Sequence, residues 1–508
     1  MAILLVPLLV VALAVIVLVA DLVPAGGTSR GLGALTAIGL FAAFVATWFV
    51  PSGVAYAAYS NDGFTEAVQR IVLAAGALSA LASIDHADEH FPRRQGEYYL
   101  LLITSIFGMT LLAGARELVT LLVAFETMGI PQYVLAAMHK NRKTGIEGAV
   151  KLYLTGAISA GITMYGASFL VGTAGSTQLA VIAATPPDAM LAFGALLVLA
   201  GMGFKLGVVP FHMWVPDVYQ SAPAPFVAFL SVAPKAAAVA ALVRIAAHAG
   251  SSLPGLWAPV VIVLAVITLT VGNLFALPQT NVRRLLAWSG IGHAGFLLIA
   301  FAIGTAEAYA AALFYLATYV AGNTGAFFVS EAVGSKVGDE VSGWNGLARR
   351  SPGLALAMLL CLLSLGGIPF VAGFWGKLLL FRTTWNAGYH SLVVYGALLS
   401  VVGLFYYLKV ARAMYVEPAV DPSPIPVGRP TMVAIVLAVA AVVGLGVAPG
   451  GFWDAAVQAG TGVELLERPQ LAIPEAGSPA VLGDFPLRKE KGARPRQADP
   501  GVEGFPFK

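Results

Sequence analysis

Five ionisable residues lie inside long apolar runs of this sequence, and their side chains are of types that exchange protons: Glu126, Lys205, Lys235, His293 and Lys377. An ionisable side chain is costly in hydrocarbon, so such residues are rare within membrane spans and are functional candidates by default. A histidine exchanges protons near neutrality because its ordinary pKa is about 6.5. The chemistry that these residues indicate is proton transfer along a polar row.

Glu126 and Lys205 are the pair best suited to act as a switch. Burial disfavours the charged form of a lysine, and a nearby carboxylate favours it again. Moving or protonating the carboxylate would therefore switch the lysine between loading and releasing a proton. Two structural alternatives stay open at this point: the Glu–Lys pair can serve stability only, and His293 can be a core histidine bonded to a carbonyl.

Three further residues are weaker candidates. Lys151 lies one turn inside its apolar run and is a secondary candidate, although its long side chain can instead snorkel to the cytoplasmic face. His212 and Asp217 follow the apolar run that carries Lys205. At those positions, capping of a helix end explains the residues as well as transport does.

The elements that must position these residues are membrane-spanning helices. The chain has 508 residues, of which 58% are hydrophobic and only 11% are Asp, Glu, Lys or Arg, whereas a soluble domain is usually about 25% charged. Apolar runs of about 20 residues recur, and each is long enough to cross a bilayer as a helix. The composition predicts an all-α polytopic membrane protein.

The residue inventory also excludes several classes of site. The lone Cys361 cannot form an internal disulfide, ligate an iron–sulfur cluster or bind attached haem. We therefore expect no cofactor in this chain and assign any redox chemistry to partner chains. The net charge is only +3 and is spread along the loops, so nothing suggests a nucleic-acid partner.

Apolar runs and polar breaks predict fourteen spans. The first run lacks a basic start and exceeds the apolar part of a signal peptide, so we expect it to be helix 1. The predicted spans are 1–23, 31–51, 64–84, 98–114, 117–138, 147–173, 189–214, 223–248, 255–277, 284–303, 307–332, 352–382, 389–411 and 431–449.

Basic residues cluster after the odd-numbered spans, and the loops after even-numbered spans have hardly any. The positive-inside rule then places the odd loops in the cytoplasm and both termini outside. The residues that carry this bias are Arg93, Arg94, Lys140, Arg142, Lys143, Arg283, Arg284, Lys336, Arg349 and Arg350.

Two spans are interrupted at matching places. Span 7 contains Pro210, and span 12 contains Gly366, Gly367 and Pro369. A proline inside a helix removes a backbone hydrogen bond and clashes with the preceding turn, costing about 3 kcal/mol or more. Freed backbone is tolerated at membrane depth only beside protein or a water-lined cavity. We therefore expect broken helices with polar surroundings, which a buried lysine also needs.

The spacing of the two breaks indicates an internal repeat. Spans 7 and 12 are five apart, and because five is odd, a five-helix repeat would be inverted relative to its copy. Spans 4–8 and 9–13 are then the two repeats. The chain is then predicted to divide into a three-helix segment (1–97), the first repeat (98–248), the second repeat (255–411), the last helix with its lead-in (412–449) and a polar, extended tail (450–508).

The stretches around the ionisable residues resemble the antiporter-like membrane subunits of respiratory complex I, the proton-pumping NADH:quinone oxidoreductase. The similarity runs from about residue 95 to 415, and the VPDVYQSAPAP block is typical of the N type among these subunits. The matching stretches are FETMGIPQYVLAA, VKLYLTGAISAGITMYG, GFKLGVVPFHMWVPDVYQSAPAP, PKAAAVAALVR, RRLLAWSGIGHAGFLLIA and SLGGIPFVAGFWGKLLLF.

The resemblance implies fourteen helices and proton translocation through the buried lysines, driven by quinone reduction in other subunits. FMN, iron–sulfur clusters and quinone would then lie in partner subunits. The expected neighbours are an M-type antiporter-like subunit, a small K-type subunit and membrane lipids. The expected location is the bacterial inner membrane with both termini on the periplasmic side.

Some residues depart from the family pattern. Thr127, Met128 and Gln132 stand where a leucine-rich sequence is more usual, Gly290 and Gly292 replace small polar or alanine positions, and Phe370 replaces a second proline. Every titratable position that the resemblance implies is nevertheless occupied.

Other classes remain to be weighed against the N type. A subunit of a multisubunit Na⁺/H⁺ antiporter would share the fold but match the VPDVYQSAPAP block less well. An L-type subunit is disfavoured because no long lateral helix or additional anchor is apparent after span 14, and an M-type subunit usually has Glu where Lys377 stands. A purely structural membrane subunit fits poorly with so many occupied titratable positions.

Overall fold

The protein is represented by a computed structural model that describes residues 2–22, 30–139, 143–250, 253–419 and 421–467. Its α-helices, labelled α1 to α20 in chain order, are Leu5–Leu22, Arg30–Ala46, Gly63–His90, Gln95–Gly114, Leu118–Ala136, Lys143–Ala174, Leu179–Ala184, Ala189–Leu206, Trp214–Ser221, Ala224–Leu230, Ala233–Ile245, Pro254–Ala276, Val282–Ile303, Ala306–Val337, Leu347–Arg350, Pro352–Gly366, Ala372–Asn386, His390–Tyr415, Arg429–Val447 and Gly450–Glu467. Two short strands, β1 (Gly53–Ala55) and β2 (Tyr59–Asn61), form an antiparallel hairpin.

The helices match the predicted spans. In the described chain, twelve helical segments are long and apolar enough to cross a membrane, judged by length and composition. Two shorter apolar helices, Arg30–Ala46 and Pro352–Gly366, correspond to predicted spans 2 and 12. The prediction of an all-helical polytopic membrane protein is confirmed. In each predicted five-helix repeat, the fourth span is interrupted.

Successive loops gather at opposite ends of the helix bundle. One end holds the loops after spans 2, 4 and 6, and we call it the even-loop end. Two backbone hydrogen bonds join these loops: Arg116 N–H donates to Ala58 O and Leu118 N–H donates to Thr177 O, each at 2.9 Å. At the other, the odd-loop end, the loops after spans 9 and 11 are joined by Val341 N–H to Thr280 O at 2.7 Å. This alternation is what an up-and-down arrangement of spans requires.

Both interruptions are formed by glycine rather than by proline. Helix α8 ends at Leu206, before Gly207 with φ +75°, and α16 ends at Gly366, before Gly367 with φ +82°. In both cases the next amide returns to the last turn, from Val208 to Gly203 O at 2.9 Å and from Ile368 to Leu363 O at 3.0 Å. This left-handed cap suits glycine, which lacks a Cβ.

Pro210 and Pro369 therefore lie in the connecting segments and not inside a helix. The expectation that a proline within the helix makes each break was wrong about the cause. Of the predicted break residues, Gly366 and Gly367 do form a helix end, whereas Gly207 was not among them. Its signal was present, since a glycine after a basic residue in a last turn is a common helix end.

A further interruption was not predicted. Span 8 is divided into α10, which ends at Leu230, and α11, which begins at Ala233. Pro234 lies in the first turn of α11, where its missing N–H costs no helical bond. Lys235 follows directly, so this break also lies beside a buried lysine.

The chain after span 14 differs from expectation. Residues from 450 were expected to be extended, but α20 is a helix from Gly450 to Glu467. Phe452 and Trp453 make edge-to-face contacts with Phe314 of α14, with ring centroids 5.6 and 6.1 Å apart. These aromatic residues give the segment an apolar face that packs on α14. The prediction missed it because it assigned the polar composition of the later tail to the whole of 450–508. Residues 468–508 lie outside the described residues.

A buried ion pair joins three helix ends at the even-loop end. The guanidinium of Arg244, on α11, donates to Asp62 Oδ2 at 2.9 Å, to Thr65 Oγ1 at 2.8 Å and to Ala113 O at 2.9 Å. Asp62 also caps the start of α3 by accepting from Thr65 N–H. Burial alone would raise the pKa of Asp62, but the Arg244 charge and these hydrogen bonds outweigh burial and lower it.

We expect Arg244→Met to destabilise the chain by about 3–5 kcal/mol, because it leaves the Asp62 carboxylate buried without its cation. The measurement is the thermal denaturation midpoint of detergent-solubilised membranes. The lowered pKa of Asp62 means that its contribution is lost as pH falls through that value, so the difference from the wild type should shrink in acid. Arg93→Met, at an exposed loop arginine, is the control. Equal midpoints for Arg244→Met and Arg93→Met would contradict the assignment.

Candidate functional site

Lys205 lies in the last turn of α8 and is only 3% exposed. Its Nζ donates to Gln132 Oε1 on α5 at 3.3 Å. The rings of Phe125, Tyr133 and Phe204 surround the amine, with centroids 5.5, 5.1 and 5.6 Å from Nζ. Aromatic faces attract a cation, so this pocket accepts the amine in its charged form.

Glu126 is half-buried on α5 and acts on Lys205 through its charge. Within the described residues, no hydrogen bond or ion pair joins the two side chains directly. Gln132 occupies the contact position and is itself held by donating to Ser105 Oγ at 3.0 Å. The carboxylate can therefore bias the lysine without locking it. We call Glu126, Gln132 and Lys205 the glutamate–lysine group.

Gly129 provides the space that the Lys205 amine occupies. A Cβ added at this glycine would lie 2.9 Å from Lys205 Nζ. Gly129 lies one turn after Glu126 on the same helix. Glycine at this position therefore lets the amine approach α5.

Lys235, on α11, is 1% exposed and makes its contacts outside its own repeat. Its Nζ donates to the Gly290 carbonyl on α13 and to Tyr319 Oη on α14 at 3.5 Å. A Cβ added at Gly290 would be 3.2 Å from this Nζ. The glycine that departs from the family pattern thus lets Lys235 approach the α13 backbone.

His293, on α13, is bonded through both ring nitrogens to tyrosine hydroxyls. Nδ1 lies 2.6 Å from Tyr315 Oη, and Nε2 lies 3.2 Å from Tyr407 Oη. The ring of Tyr319 is 4.8 Å away between centroids. A hydroxyl both donates and accepts, so these contacts can pass a proton, whereas a backbone carbonyl only accepts. The alternative of a histidine held by a carbonyl is not what the structure shows.

Lys377, on α17, reaches back across the second interruption. Its Nζ donates to Gly366 O, the last residue of α16, at 2.9 Å, and lies 5.3 Å from the centre of the Phe296 ring. A cation at a helix C-terminus also interacts favourably with the helix dipole. At the first interruption the indole of Trp214 takes the equivalent role of donor to the end of the helix, because its Nε1–H donates to Phe204 O in the last turn of α8 at 3.2 Å.

The structure thus resolves the predicted row into two groups. Lys235 and His293 are joined through Tyr319, and Lys377 and Lys235 both act on His293 through their charges. We call Lys235, His293, Tyr315, Tyr319 and Tyr407 the tyrosine–histidine group. No bond between described side chains connects Lys205 directly to Lys235.

The bridging tyrosines were missed in the sequence. Tyr315 and Tyr319 are four residues apart on α14 and therefore lie on one helix face. Two hydroxyls at that spacing within an apolar span were an available signal. Tyr407 has no such signal, because only the packing of α18 near α13 brings it to His293.

Lys151 does not belong to the buried row. Its side chain is 43% exposed, and its Nζ lies 2.6 Å from Glu147 Oε1 and 2.7 Å from Asp217 Oδ2. Asp217 also accepts from Arg284 Nη1 at 2.8 Å. These residues form an ion cluster at the odd-loop end, so the snorkelling alternative agrees with the structure. Asp217 pairs with these cations, and among the described residues no backbone N–H of its own helix donates to its side chain.

The tips of both interruptions lie at the surface of this chain. Pro210, Pro369 and Phe370 are exposed, and Phe370 is 85% exposed with φ +74°. Gly207 is buried and Gly367 is half-buried. The helix caps thus lie within the bundle, whereas the expectation that the prolines face protein or water stays a prediction.

A family model described as NADH:quinone oxidoreductase/Mrp antiporter, TM, matches residues 115–403, which is more than half of the chain. The chain belongs to this family. The matched region contains all five buried ionisable residues, from Glu126 to Lys377, and both interruptions.

Relatives place the chain within the complex I branch of this family. NADH-quinone oxidoreductase subunit N of Moorella thermoacetica is 41% identical over 428 residues, covering 83% of this chain and 90% of the relative. NAD(P)H-quinone oxidoreductase subunit 2 of Synechococcus sp. (strain JA-3-3Ab) is 41% identical over 413 residues, covering 79% of this chain and 78% of the relative. The resemblance inferred from the motifs is confirmed.

Solved structures agree on the fold. A chain of respiratory complex I from Thermus thermophilus with bound aureothin has a TM-score of 0.77 and 33% identity, covering 89% of this chain and 99% of that one. A chain of the Mrp complex from Dietzia sp. DQ12-45-1b also has a TM-score of 0.77, covering 91% of this chain and 97% of that one, but only 20% identity. The second likeness shows a common fold alone.

We expect Gly129→Ala to slow proton translocation several-fold, because the added methyl would meet the Lys205 amine and displace it from Gln132. The measurement is NADH-driven proton uptake by inside-out membrane vesicles. Gly161→Ala, on α6, is the matched control because a Cβ there meets nothing within 4 Å. If Gly129→Ala assembles normally and takes up protons at the normal rate, the close approach of Lys205 to Gly129 is not needed for translocation.

Proposed function

We propose that this chain moves protons in the membrane arm of a bacterial NADH:quinone oxidoreductase as its N-type antiporter-like subunit, with Glu126, Lys205, Lys235, His293 and Lys377 as the transfer groups. The observation that carries the proposal concerns the three lysines. Each is at most 8% exposed, and none has a carboxylate within 4 Å in the described chain. Their hydrogen-bond acceptors are neutral oxygens.

This arrangement differs from that of a structural ion pair. A buried lysine kept for stability is normally paired with a carboxylate, as Arg244 is with Asp62. A buried lysine whose acceptors are an amide and main-chain carbonyls can lose its proton without stranding a buried anion. Its protonation state then responds to small changes in nearby charge.

Each group has a role that follows from its contacts. Glu126 favours the charged form of Lys205, and Gln132 holds the amine at a fixed place. In the tyrosine–histidine group, a proton released by Lys235 can pass through the Tyr319 hydroxyl, while Tyr315 and Tyr407 orient the His293 ring. Lys377 would hold the proton next, beside the end of α16.

The driving reaction belongs to other subunits in this proposal. FMN, iron–sulfur clusters and quinone would be held by partner chains, and an M-type and a K-type subunit would be the membrane neighbours. The names of the relatives support this assembly. Basic residues concentrated in the loops of the odd-loop end support a cytoplasmic position for that end and a periplasmic position for both termini.

A subunit of a multisubunit Na⁺/H⁺ antiporter is the alternative function, and the likeness to the Mrp complex is its support. That likeness is at the level of the fold, whereas relatives with much higher identity are quinone oxidoreductase subunits. Isolation of the chain with flavin and iron–sulfur subunits would decide between the two.

We expect Lys205→Ala to abolish or strongly reduce pumping, because the glutamate–lysine group loses its only cation. Glu126→Gln should reduce it in the same way, and the double variant should cost less than the sum of the two losses because the residues interact. Proton-to-electron ratios in vesicles measure this, with exposed Lys336→Ala as the control. Wild-type ratios in assembled Lys205→Ala would overturn the proposal, and strictly additive losses would separate Glu126 from Lys205.

We expect Tyr319→Phe to slow pumping several-fold while leaving assembly intact, since the ring that packs against His293 stays and only the hydroxyl facing Lys235 is removed. Proton uptake and native-gel assembly are the two measurements. Tyr165→Phe, at an exposed tyrosine on α6, is the matched control. An unchanged rate would exclude the hydroxyl from the path.

A further inference from the structure

Three histidines lie together at the odd-loop end, away from both groups described above. The ring centroids of His86 and His90, one turn apart on α3, are 4.3 Å apart. His139, which follows α5, lies 5.3 Å from His86 and 5.5 Å from His90. Glu331 of α14 completes the set, with Oε1 2.7 Å from His86 Nδ1. We call these four residues the histidine cluster.

The three histidines of the cluster differ in solvent exposure. His90 is exposed, His139 is half-buried and His86 is 7% exposed. The Nε2 of His86 is buried and has no hydrogen-bond partner in the described chain. A buried polar atom without a partner needs an explanation, and exchange of a proton at that nitrogen provides one.

The ring geometry of the cluster does not suit metal binding. The planes of His86 and His90 are within 16° of parallel, so the in-plane lone pairs of the two rings lie in separate, nearly parallel planes and do not converge on one ion. Among the described residues, no group of three His, Cys, Asp or Glu is arranged to hold a metal. A proton can pass between such rings through a water, and the buried Nε2 of His86 is a nitrogen that such a water can bond.

The charges around the cluster favour an added proton, because the acidic side chains outnumber the basic ones. On α3 the neighbouring acidic residues are Asp85, Asp88 and Glu89, of which Asp88 pairs with Arg30 at 3.0 Å. From α14 the facing group is Glu331, and from α13 Arg283 acts on Glu331 through its charge. Arg283 also lies 3.6 Å from Asp339. One imidazolium beside Glu331 is thus compensated, whereas two would repel each other.

Helix α14 connects this cluster to the tyrosine–histidine group. Glu331 and Tyr319 are twelve residues apart on it, or about 18 Å. Between them, Asn323 Nδ2 donates to Ser231 Oγ at 2.7 Å, and Tyr319 Oη donates to Ser231 O at 3.4 Å.

The same stretch contains buried polar atoms that lack a partner in the described chain: Ser330 Oγ, Asn323 Oδ1 and Tyr219 Oη. Tyr219 packs on Phe327, midway along the stretch, with ring centroids 5.8 Å apart. Buried polar atoms of this kind bind ordered water in proteins. The stretch therefore has the polar groups that a hydrated route needs.

We propose that the histidine cluster is a proton-collecting site that supplies Lys235 along α14. A proton from solution binds at Nε2 of a histidine and is passed to His86, making its ring cationic. The Nδ1 proton of His86 then moves to Glu331 Oε1, which leaves a neutral ring and a protonated carboxyl. Release from Glu331 toward Lys235 restores the carboxylate, so one proton enters and one leaves. This inference rests on the proposed function.

The test uses the complete complex in membrane vesicles and varies pH on the side of the odd-loop end. His90→Asn is the first variant because His90 is the exposed member of the cluster and asparagine keeps a polar side chain there. We expect normal proton uptake below the ordinary histidine pKa of about 6.5 and a several-fold loss well above it, where protons are scarce. Added imidazole buffer should restore the loss.

Glu331→Gln is the second variant, since it keeps an oxygen beside His86 but cannot carry the proton. It should slow uptake at every pH because the step after His86 is blocked, and combining it with His90→Asn should add little. His390→Asn, at an exposed histidine beginning α18 at the even-loop end, is the matched control and should behave as the wild type.

The outcomes separate this inference from the function on which it rests. Uptake by His90→Asn and Glu331→Gln that follows the wild type at every pH, while Lys205→Ala is inactive, would overturn the collecting site and leave the proposed function standing. An equal loss at all pH values in His90→Asn, without rescue by imidazole, would show a structural role for that residue and also overturn the collecting site. A fully active Lys205→Ala would remove the proposed function itself.

Discussion

A lysine amine held deep in an apolar helix bundle must find oxygen acceptors, and much of this structure is organised around that need. Two of the three buried lysines find them on main-chain carbonyls. Lys377 bonds to the carbonyl of Gly366, which is free because α16 stops there. Lys235 bonds to the carbonyl of Gly290, where the absence of a side chain opens the α13 backbone. Interrupted helices and glycines thus take the place that carboxylates have in an ordinary ion pair.

The choice of neutral acceptors has a consequence for chemistry. A carboxylate in direct contact would hold a lysine in its charged form, as the Asp62 carboxylate holds Arg244 at the even-loop end. Glu126 acts on Lys205 from beyond contact distance, while Gln132 takes the hydrogen bond. The same chain therefore contains a buried ion pair whose charges are fixed and several buried lysines whose charge can change. The difference does not lie in burial, because all of these cations are buried. It lies in the direct carboxylate contact and in the guanidinium itself, which does not lose its proton in proteins.

The two groups of ionisable residues also show how the halves of the chain cooperate. Lys235 belongs to the first five-helix set by sequence, yet its bonds are to α13 and α14 of the second. Helix α14 contributes Tyr315 and Tyr319 at its centre and Glu331 near its end. A single long helix can therefore couple events at the surface to the middle of the bundle.

The sequence by itself determined the membrane character, the helical spans, the alternation of loops and the identity of the buried ionisable residues. It could do so because apolar runs of bilayer length and charges within them are local features, readable without knowing any contact. It also located both interruptions to within a few residues and named Gly366 and Gly367 at the second. It assigned the first to Pro210, because the left-handed backbone of Gly207 is visible only in the fold. Only the tertiary structure decided which groups meet. Tyr407 reaches His293 from 114 residues away, and Glu331 reaches His86 from 245, because helix packing sets such contacts and no spacing in the chain encodes them.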